Sequence, residues 1–226
     1  MTRRLALFDL DNTLLAGDSD HSWGEFLIEA GLVDAEQHSM QNDAFYADYQ
    51  RGALDIDAYV QFTLAPVLEM TRDEQLALRQ RFFDAKVLPL MSEASKNLLA
   101  SHREASDYCL IITATNSFIT SPIAEAYGVD KLVATEVVFD GDRMTGKISG
   151  TPCFQDGKVA RLKEWLESSE DARNDRLSLD NSIFYSDSSN DLPLLEAAGE
   201  AIVVDADEKL LDIAKHRGWQ IMQLNT

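Results

Sequence analysis

The sequence predicts an α/β protein: a doubly wound parallel sheet with a small helical cap domain and a β-hairpin flap. From residue 89 onward, short apolar runs alternate with segments of helical periodicity, which is typical of parallel strands joined by right-handed crossovers. Residues 16–86 instead show helical periodicity throughout. We therefore expect residues 1–15 and 87–226 to form one core, with residues 16–86 inserted after its first strand as a cap.

The first strand is predicted over residues 5–8 and is followed by two aspartates. Its apolar run is typical of a buried parallel strand, and Asp9 and Asp11 come directly after it. Side chains alternate along extended backbone, so both carboxylates should point to the same side. Ligands in open α/β sheets bind beyond the carboxyl ends of strands. Two close carboxylates repel each other unless a cation or a shared proton compensates, so the pair indicates a functional site. An isolated D-x-D would instead be interpreted as a solvated acidic turn.

The cap is predicted to hold four helices. The first carries Trp23 and stops at Gly31, and the second ends near Gly52. A third covers residues 59–63. The pattern Thr-Arg-Asp-Glu at residues 71–74 has the form of a capping box, which opens the fourth.

Beyond the cap, helices and strands are expected to alternate along the chain. Strands are predicted at residues 108–112, 182–185, 201–204 and 219–222, and helices at residues 92–102, 118–127, 156–167, 192–198 and 208–216. Residues 133–148 predict two strands joined around Asp140-Gly141-Asp142, a hairpin signal. A polar, acidic loop is predicted between the end of the helix at residues 156–167 and Asn181.

Composition and charge exclude several classes of partner. The 226 residues carry a formal net charge of −19, which argues against nucleic acid and anionic membranes but is compatible with a small phosphorylated metabolite. Cys109 and Cys153 show no metal-ligand spacing or disulfide framework, which favours a reducing compartment and the cytoplasm. No segment approaches the roughly 20 apolar residues of a membrane span. Both a monomer and a homodimer stay open.

Three further polar signals follow in order along the chain. Thr113 comes at the end of a predicted strand, where its hydroxyl and free backbone N–H groups of Ala114 and Thr115 would form a phosphate cradle. Lys158 opens a predicted helix, and its ammonium can stabilise a phosphate or keep a carboxylate ionised. Asp187 follows another predicted strand and can complete a site for a hard cation.

Each of these signals also has an ordinary interpretation. Thr113 alone could be a strand-end hydroxyl, Lys158 a solvated helix residue, and Asp187 and Asp191 turn and N-cap residues. Asn190 and Asp191 lie beside Asp187, where an amide could donate to a phosphate and a carboxylate could brace the cluster. Four such elements, each at a strand end or a helix start, are hard to attribute to chance.

Together these residues resemble the four motifs of the haloacid dehalogenase superfamily of phosphohydrolases. The motifs are DLDNT at residues 9–13, the strand end at Thr113, Lys158, and SDSSND at residues 186–191. The resemblance covers nearly the whole chain, includes the helical cap, and implies a Rossmann-like core. The most similar branch looks like the phosphoserine phosphatase type, to which histidinol-phosphate phosphatases of similar form also belong.

The resemblance implies Mg²⁺-dependent hydrolysis of a phosphomonoester through an aspartyl-phosphate intermediate, with Asp9 as the nucleophile and Asp11 as the general acid and base. It implies three groups of site residues: Asp9, Asp11 and Lys158 as catalytic residues; Asp9, the main-chain carbonyl of Asp11, and Asp187 as metal ligands; and Thr113, Ala114, Lys158 and Asn190 as phosphate ligands, with Thr13 and Asp191 in support.

The cap should decide the substrate. Asp18 lies where phosphoserine phosphatases carry an acidic residue that binds the substrate ammonium; Asp20 and His21 beside it suggest either a cationic amine or exposed loop polarity. Serine-specific enzymes of the family use a cap arginine for the substrate carboxylate, but the aligned position here is Thr63, and residues 55–70 contain no basic residue. An unpaired carboxylate in a closed site is costly, so an amino alcohol phosphate such as L-histidinol phosphate fits better than phosphoserine.

Several aromatic residues of the cap could stack on an imidazole ring, although we expect most of them in the cap's own core. They are Trp23, Phe45, Tyr46, Tyr49, Tyr59 and Phe62.

Three other classes of protein compete with this interpretation. A mutase of the same superfamily would share the motifs but retain the phosphoryl group. A response-regulator receiver also combines aspartates, a strand-end hydroxyl and a lysine, but the D-x-D spacing and the inserted cap argue against it. A catalytically silent scaffold would lack some of the polar groups. The remaining histidines, His38, His102 and His216, are interpreted as solvated helix residues without a function.

Overall fold

Six parallel strands form the main sheet of the computed structural model, which describes residues 2–225. The strands of the chain are β1 (Leu5–Phe8), β2 (Tyr108–Asn116), β3 (Lys131–Thr135), β4 (Val137–Asp140), β5 (Arg143–Ile148), β6 (Ser182–Ser186), β7 (Glu200–Val204) and β8 (Gln220–Met222). The main sheet has the order β3-β2-β1-β6-β7-β8, while β4 and β5 form a separate antiparallel hairpin. This topology confirms the predicted doubly wound sheet and the hairpin flap.

The central position of β1 explains its apolar sequence. It pairs in parallel with β2 on one side and β6 on the other, and all four of its residues are fully buried. Ala6 and Phe8 pack into the core on one face of the sheet, whereas Leu5 and Leu7 pack into the core on the other face. The period of two along the strand therefore supplies apolar side chains to both faces, as a sheet covered by helices on both sides requires.

Ten α-helices cover the sheet and build the cap within residues 2–225. They are α1 (Ser19–Glu29), α2 (Ala35–Gln50), α3 (Ile56–Leu64), α4 (Arg72–Phe82), α5 (Glu93–Glu104), α6 (Ser117–Tyr127), α7 (Asp156–Ser168), α8 (Glu170–Asp175), α9 (Leu192–Ala197) and α10 (Glu208–Arg217). Helices α1 to α4 lie between β1 and β2 in the chain and form the helical cap. None of the helices in this described part combines the length and hydropathy needed to cross a bilayer.

Trp23 lies at the centre of the cap, fully buried. Its ring meets those of Phe82 on α4 and Phe118 on α6 edge to face, with centroids 5.1 and 6.1 Å apart. Its indole N–H donates to the carbonyl of Thr63 at 2.8 Å, which satisfies the one polar group of the side chain. One residue therefore ties α1 to two other cap helices and to the core, in agreement with the expected cap interior.

Two stretches differ from the sequence prediction. Residues 133–148 were expected to form only a hairpin, but Val133 belongs to β3 of the main sheet, and the hairpin begins at Val137. The predicted acidic loop before Asn181 contains the short helix α8, capped by the Ser169 side chain, which accepts from the N–H of Ala172 at 3.3 Å. Because α8 buries little apolar surface, it has no periodic apolar pattern that a sequence could reveal.

Two histidines predicted to be solvated are buried. His102 bonds through Nδ1 to Asp107 at 2.8 Å and through Nε2 to the Tyr185 hydroxyl at 2.9 Å. The ring of His38 stacks on that of Phe62, with centroids 4.4 Å apart. Hydrogen bonds and ring contacts made through the tertiary fold remove these two residues from water, whereas His216 is exposed as expected.

Candidate active site

Polar residues at the carboxyl ends of three neighbouring strands meet beneath the cap. Asp9 and Asp11 follow β1, Thr113 lies in β2, and these three line one cavity between the sheet and the cap. Asp187 follows β6 and joins the group through Thr13, whose hydroxyl donates to a carboxylate oxygen of Asp187 at 2.9 Å. Since β2, β1 and β6 are adjacent in the sheet, three distant segments of the chain deliver these groups to one place.

A tight turn over Leu10–Leu14 holds the two aspartates after β1. Asp9 and Asp11 both keep extended backbone angles, and the turn is closed because the N–H of Leu15 donates to the carbonyl of Leu10 at 2.9 Å. Asn12 has a φ of 58°, a left-handed conformation that asparagine tolerates better than most residues. Both carboxylates therefore line the cavity, as the alternation of side chains predicts.

Lys158 is a buried cation behind Asp9. Its ammonium donates to Asp9 Oδ1 and to Asp191 Oδ2, both at 2.7 Å, and its side chain is only 2% exposed. Asp191 accepts a further hydrogen bond from the Ser186 hydroxyl at 2.7 Å. Lys158 thus binds the end of β1 to the segment after β6 in one buried network.

The backbone before Lys158 is tightly constrained. A Cβ at Gly157 would lie 2.0 Å from the carbonyl oxygen of Pro152, so no larger residue fits at this position. Gln155 just before α7 has a φ of 50°, a conformation that L-residues rarely adopt. This bend places the first turn of α7, and with it Lys158, against Asp9.

The charges around Lys158 decide the protonation of the network. Burial alone would lower the pKa of the Lys158 ammonium, but the carboxylates of Asp191 and Asp9 raise it above its usual value. Burial raises the pKa of Asp9, and Lys158 opposes this increase. Burial also raises the pKa of Asp191, to about 6, again against the influence of Lys158. The lysine therefore stays charged and favours the ionised form of both partners.

Asp11 has a different environment from Asp9. One oxygen accepts from the backbone N–H of Ser19 at 2.6 Å and the other from the Thr115 hydroxyl at 2.8 Å. Burial, followed by the nearby charge of Asp18, raises the pKa of Asp11 to about 6. The two carboxyls of the D-x-D pair thus have different surroundings: Asp9 faces an ammonium, while Asp11 accepts from a backbone N–H and a hydroxyl.

Asp187 and Asp9 lie close together without a second cation between them. Thr13 Oγ1 is 3.4 Å from Asp9 Oδ2 and also accepts from the N–H of Asp187 at 3.0 Å. Burial and the charge of Asp9 raise the pKa of Asp187 well above its usual value. This carboxylate pair fits a divalent cation, which would remove the repulsion.

No group of three His, Cys, Asp or Glu side chains within residues 2–225 is arranged to hold a metal. A cation between Asp9 and Asp187 would therefore need a backbone carbonyl, water and substrate oxygens to complete its coordination. That is the usual mode of Mg²⁺ binding.

The cradle predicted after β2 is altered in one respect. Strand β2 continues to Asn116, with an irregularity in its pairing with β3 after Ile112. The N–H of Thr115 was expected to be free, but it donates to Thr113 Oγ1 at 3.1 Å. The prediction was wrong because the irregular strand folds the hydroxyl of Thr113 back onto its own backbone. Thr113 and Ala114 nevertheless line the cavity.

Asn190 contacts the cap. Its amide N–H donates to the carbonyl of Tyr49 at 2.8 Å, and its amide oxygen accepts from Gln155 at 3.3 Å. Gln155 also donates to the carbonyl of Gly52 at 3.1 Å. A pair of core amides therefore holds the end of α2, and Asn190 does not line the cavity in this conformation.

The cap closes the cavity with an aromatic and acidic wall. The residues of this wall are Asp18, Asp20, Phe45, Tyr46, Tyr49, Leu54, Ile56 and Tyr59. Trp23 and Phe62, which the sequence left as candidates for stacking on a substrate ring, are not part of it. The Asp18 side chain caps α1, because its Oδ1 accepts from the N–H groups of Asp20 at 3.0 Å and His21 at 2.8 Å.

Sequence reasoning did not predict the contacts or the burial of three polar residues of this region. Thr115 contacts Asp11, and its position two residues beyond Thr113 on a strand was a usable signal. Gln155 binds the cap, a role that only the fold reveals. Asp20 was interpreted either as a partner for a cationic amine or as exposed loop polarity; it is buried, with 6% exposure, in the first turn of α1.

Comparison with known sequences gives the same class of protein as the fold and the site. The chain belongs to the haloacid dehalogenase-like hydrolase family, whose sequence model matches residues 6–196. Within this family it is a phosphatase, as its relatives indicate. A histidinol-phosphatase of Neisseria meningitidis serogroup C is 41% identical over 222 residues, which cover 97% of this chain and 98% of the relative.

A further relative and two solved structures are also similar to this chain. A phosphoserine phosphatase of Mycobacterium tuberculosis is 26% identical over 219 residues, covering 96% of this chain and 69% of that protein. A crystal structure from Bordetella pertussis, of a protein with unknown function, has a TM-score of 0.89 at 40% identity and covers 99% of this chain and 100% of its own. A phosphoserine phosphatase with an analogue of its phospho-aspartyl intermediate has a TM-score of 0.69 at 14% identity, covers 100% of this chain and 95% of its own, and shows the same fold.

Replacing Lys158 by methionine should destabilise the protein strongly at neutral pH. The change leaves Asp9 and Asp191 buried without their cation, which typically costs about 3–5 kcal/mol. The loss should shrink as the pH falls toward about 5, because protonated carboxyls need no countercharge. Denaturant unfolding at both pH values measures the free energy of unfolding.

The matched control is Lys163→Met, an exposed lysine on the same helix. Its effect should stay within about 0.5 kcal/mol. Equal stability of the two variants at neutral pH would contradict the buried ion pair.

Proposed function

We propose that this phosphatase is a Mg²⁺-dependent phosphomonoester hydrolase that acts through an aspartyl-phosphate on Asp9. The observation that carries the proposal is the arrangement of Asp9, which lines the cavity and binds the Lys158 ammonium through Oδ1. An ionised carboxylate fixed by a buried lysine and open to a cavity is suited to attack phosphorus.

Asp9 attacks the phosphorus of the ester, an oxygen–phosphorus bond forms on its carboxylate, and the bond to the substrate oxygen breaks. Asp11 gives its proton to the leaving alkoxide, for which a pKa near 6 is appropriate at neutral pH. Asp11 then takes a proton from the water that attacks the aspartyl-phosphate. Inorganic phosphate leaves, and Asp9 and Asp11 return to their starting states.

The residues around Asp9 would hold the cofactor and the phosphate. Asp9, the main-chain carbonyl of Asp11, and Asp187 are the proposed ligands of Mg²⁺, which supplies positive charge that lets an anionic nucleophile approach an anionic ester. Thr113, Ala114 and Lys158 are proposed to contact the phosphate. Asn190 keeps one amide N–H on the cap and has a second one for this purpose.

We propose an amino alcohol phosphate, with L-histidinol phosphate first, as the substrate. The 41% identical relative is named a histidinol-phosphatase. Among the described residues that line the cavity, none is lysine, arginine or histidine, so a substrate carboxylate would find no cationic partner there. Thr63 is buried and donates to the carbonyl of Val60 at 3.1 Å, within its own helix.

Phosphoserine is the second candidate, since several relatives and structural neighbours carry the name phosphoserine phosphatase. Stoichiometric release of inorganic phosphate separates either hydrolase from a mutase. The family assignment replaces the receiver-like signalling module as an interpretation. We further propose a cytoplasmic monomer or homodimer; the two free, buried cysteines are consistent with a reducing compartment.

Substituting the two aspartates of the D-x-D pair should have graded effects. Asp9→Asn should reduce release of phosphate from p-nitrophenyl phosphate to background, because the amide is not a nucleophile. Asp11→Asn should lower kcat/KM by about 10²–10⁴-fold, the usual contribution of a general acid and base. Asp57→Asn, the same change at an exposed position of the cap, serves as the control. Activity of Asp9→Asn near that of the wild type would disprove the nucleophile.

Mg²⁺ should stabilise the folded protein through Asp187. At a concentration of about 100 times Kd, binding contributes about 2.7 kcal/mol and raises Tm by several degrees. The increase should disappear in Asp187→Asn and persist in Asp180→Asn, a change of the same charge at an exposed position. Thermal unfolding with Mg²⁺ and with a chelator measures it, independently of turnover.

The substrate proposal predicts a preference for L-histidinol phosphate over L-phosphoserine. We expect kcat/KM to differ by at least about tenfold, because burying a carboxylate without a cationic partner costs more than 1.4 kcal/mol. Steady-state phosphate release with Mg²⁺ measures both constants. A preference for phosphoserine would overturn the substrate but leave the hydrolase intact.

A further inference from the structure

Asp20 is a buried carboxylate without a protein partner. It lies in the first turn of α1, is 6% exposed and lines the cavity. Its Oδ1 is shielded from solvent and has no hydrogen-bond donor within residues 2–225. A buried oxygen in this condition destabilises the fold, and more so if it is charged. The molecule therefore keeps an unfavourable carboxyl group in the wall of the cavity that a substrate would fill.

The neighbouring Asp18 differs in this respect. Its Oδ1 is occupied by the backbone N–H groups of Asp20 and His21, so it serves as the N-cap of α1. The resemblance to phosphoserine phosphatases assigned the substrate ammonium to Asp18. The contacts commit one oxygen of Asp18 to the helix cap, whereas the Asp20 carboxylate accepts no hydrogen bond within residues 2–225.

The surroundings of Asp20 are acidic and aromatic. Burial, followed by the charges of Asp18 and Asp11, raises the pKa of Asp20 well above its usual value. Tyr59 lines the same cavity, and burial followed by the charge of Asp20 raises the pKa of its phenol. The side chain of the nearby His21 is hydrogen-bonded to Asp43 rather than to Asp20, with 3.2 Å between His21 Nε2 and Asp43 Oδ1.

We propose that Asp20 is a specificity-determining residue that accepts a hydrogen bond from a protonated nitrogen of the substrate. The inference rests on the proposed phosphatase function and narrows it to esters whose alcohol part carries an ammonium or a protonated heteroaromatic ring. A cation at this point meets three carboxylates, Asp11, Asp18 and Asp20, and the aromatic wall provides ring faces that attract it further. A neutral or anionic alcohol part would leave Asp20 unpaired.

The test compares one cationic and one uncharged ester. Wild type, Asp20→Asn and Asp57→Asn are assayed with L-histidinol phosphate and with p-nitrophenyl phosphate. We expect the ratio of the two kcat/KM values to fall by about 10- to 100-fold in Asp20→Asn, the loss of one charge-assisted hydrogen bond. The ratio should be unchanged in Asp57→Asn, an exposed cap carboxylate. A ratio within threefold of that of the wild type in Asp20→Asn would overturn the proposal.

A stability measurement separates recognition from a structural role. Removing an unpaired buried charge should leave Tm unchanged or raise it, whereas a carboxylate that supports the cap would lower Tm when replaced. A lower Tm without a change in the ratio assigns Asp20 to structure and overturns the proposal. Asp20→Ser provides the same comparison if Asp20→Asn does not fold.

A binding measurement keeps this inference distinct from the phosphatase function. L-Histidinol phosphate is titrated calorimetrically into Asp9→Asn and into Asp9→Asn with Asp20→Asn, neither of which needs to turn over. A Kd weaker by about 10- to 100-fold in the double variant supports the role of Asp20 even if wild type releases no phosphate from either ester. Equal Kd values beside an active wild type would refute the role of Asp20 and leave the hydrolase standing.

Discussion

Burial of negative charge at one edge of the sheet is the constraint on which this structure depends. Asp9 and Asp191 share the ammonium of Lys158, whereas within residues 2–225 Asp11 and Asp187 have only hydroxyl and amide donors. Carboxylates removed from water repel one another unless protons or cations compensate. The site therefore has separate positions for a proton on Asp11, for an ammonium at Asp9, and for a further cation beside Asp187. This division of charge is what an acid, a nucleophile and a metal ligand need.

The topology makes that division possible. Because β1 lies between β2 and β6, residues from three distant parts of the chain reach the same edge of the sheet, each near the end of its own strand. Lys158 arrives from a different direction, at the start of α7, where Gly157 lets the backbone pass against Pro152. The cap then covers this edge and adds residues of another kind, aromatic rings and two more aspartates. Under the proposed function, the core carries the chemistry and the cap carries the contacts that select the alcohol.

The sequence was most informative where local pattern and chemistry coincide. The apolar run before Asp9 and the polar residues after each strand predict the sheet and the meeting of Asp9 and Asp187, because strand ends in a parallel sheet share one edge. It was least informative where tertiary contacts override local character. Nothing in the spacing around His102 indicates a bond to a tyrosine 83 residues away. The partnering of Asn190 with a cap carbonyl and the burial of Asp20 likewise depend on how the cap sits, which periodicity does not encode.

The contacts between cap and core bear on how such a protein can diversify. Gln155 and Asn190 donate hydrogen bonds to the main-chain oxygens of Gly52 and Tyr49, not to their side chains. Position 49 can therefore change its side chain while the same bridge forms. Position 52 cannot, because its φ is +69° and a Cβ would lie 3.1 Å from the amide oxygen of Asn190. During evolution, related enzymes can therefore change the cap side chains that line the cavity and keep the same hydrogen bonds between cap and core.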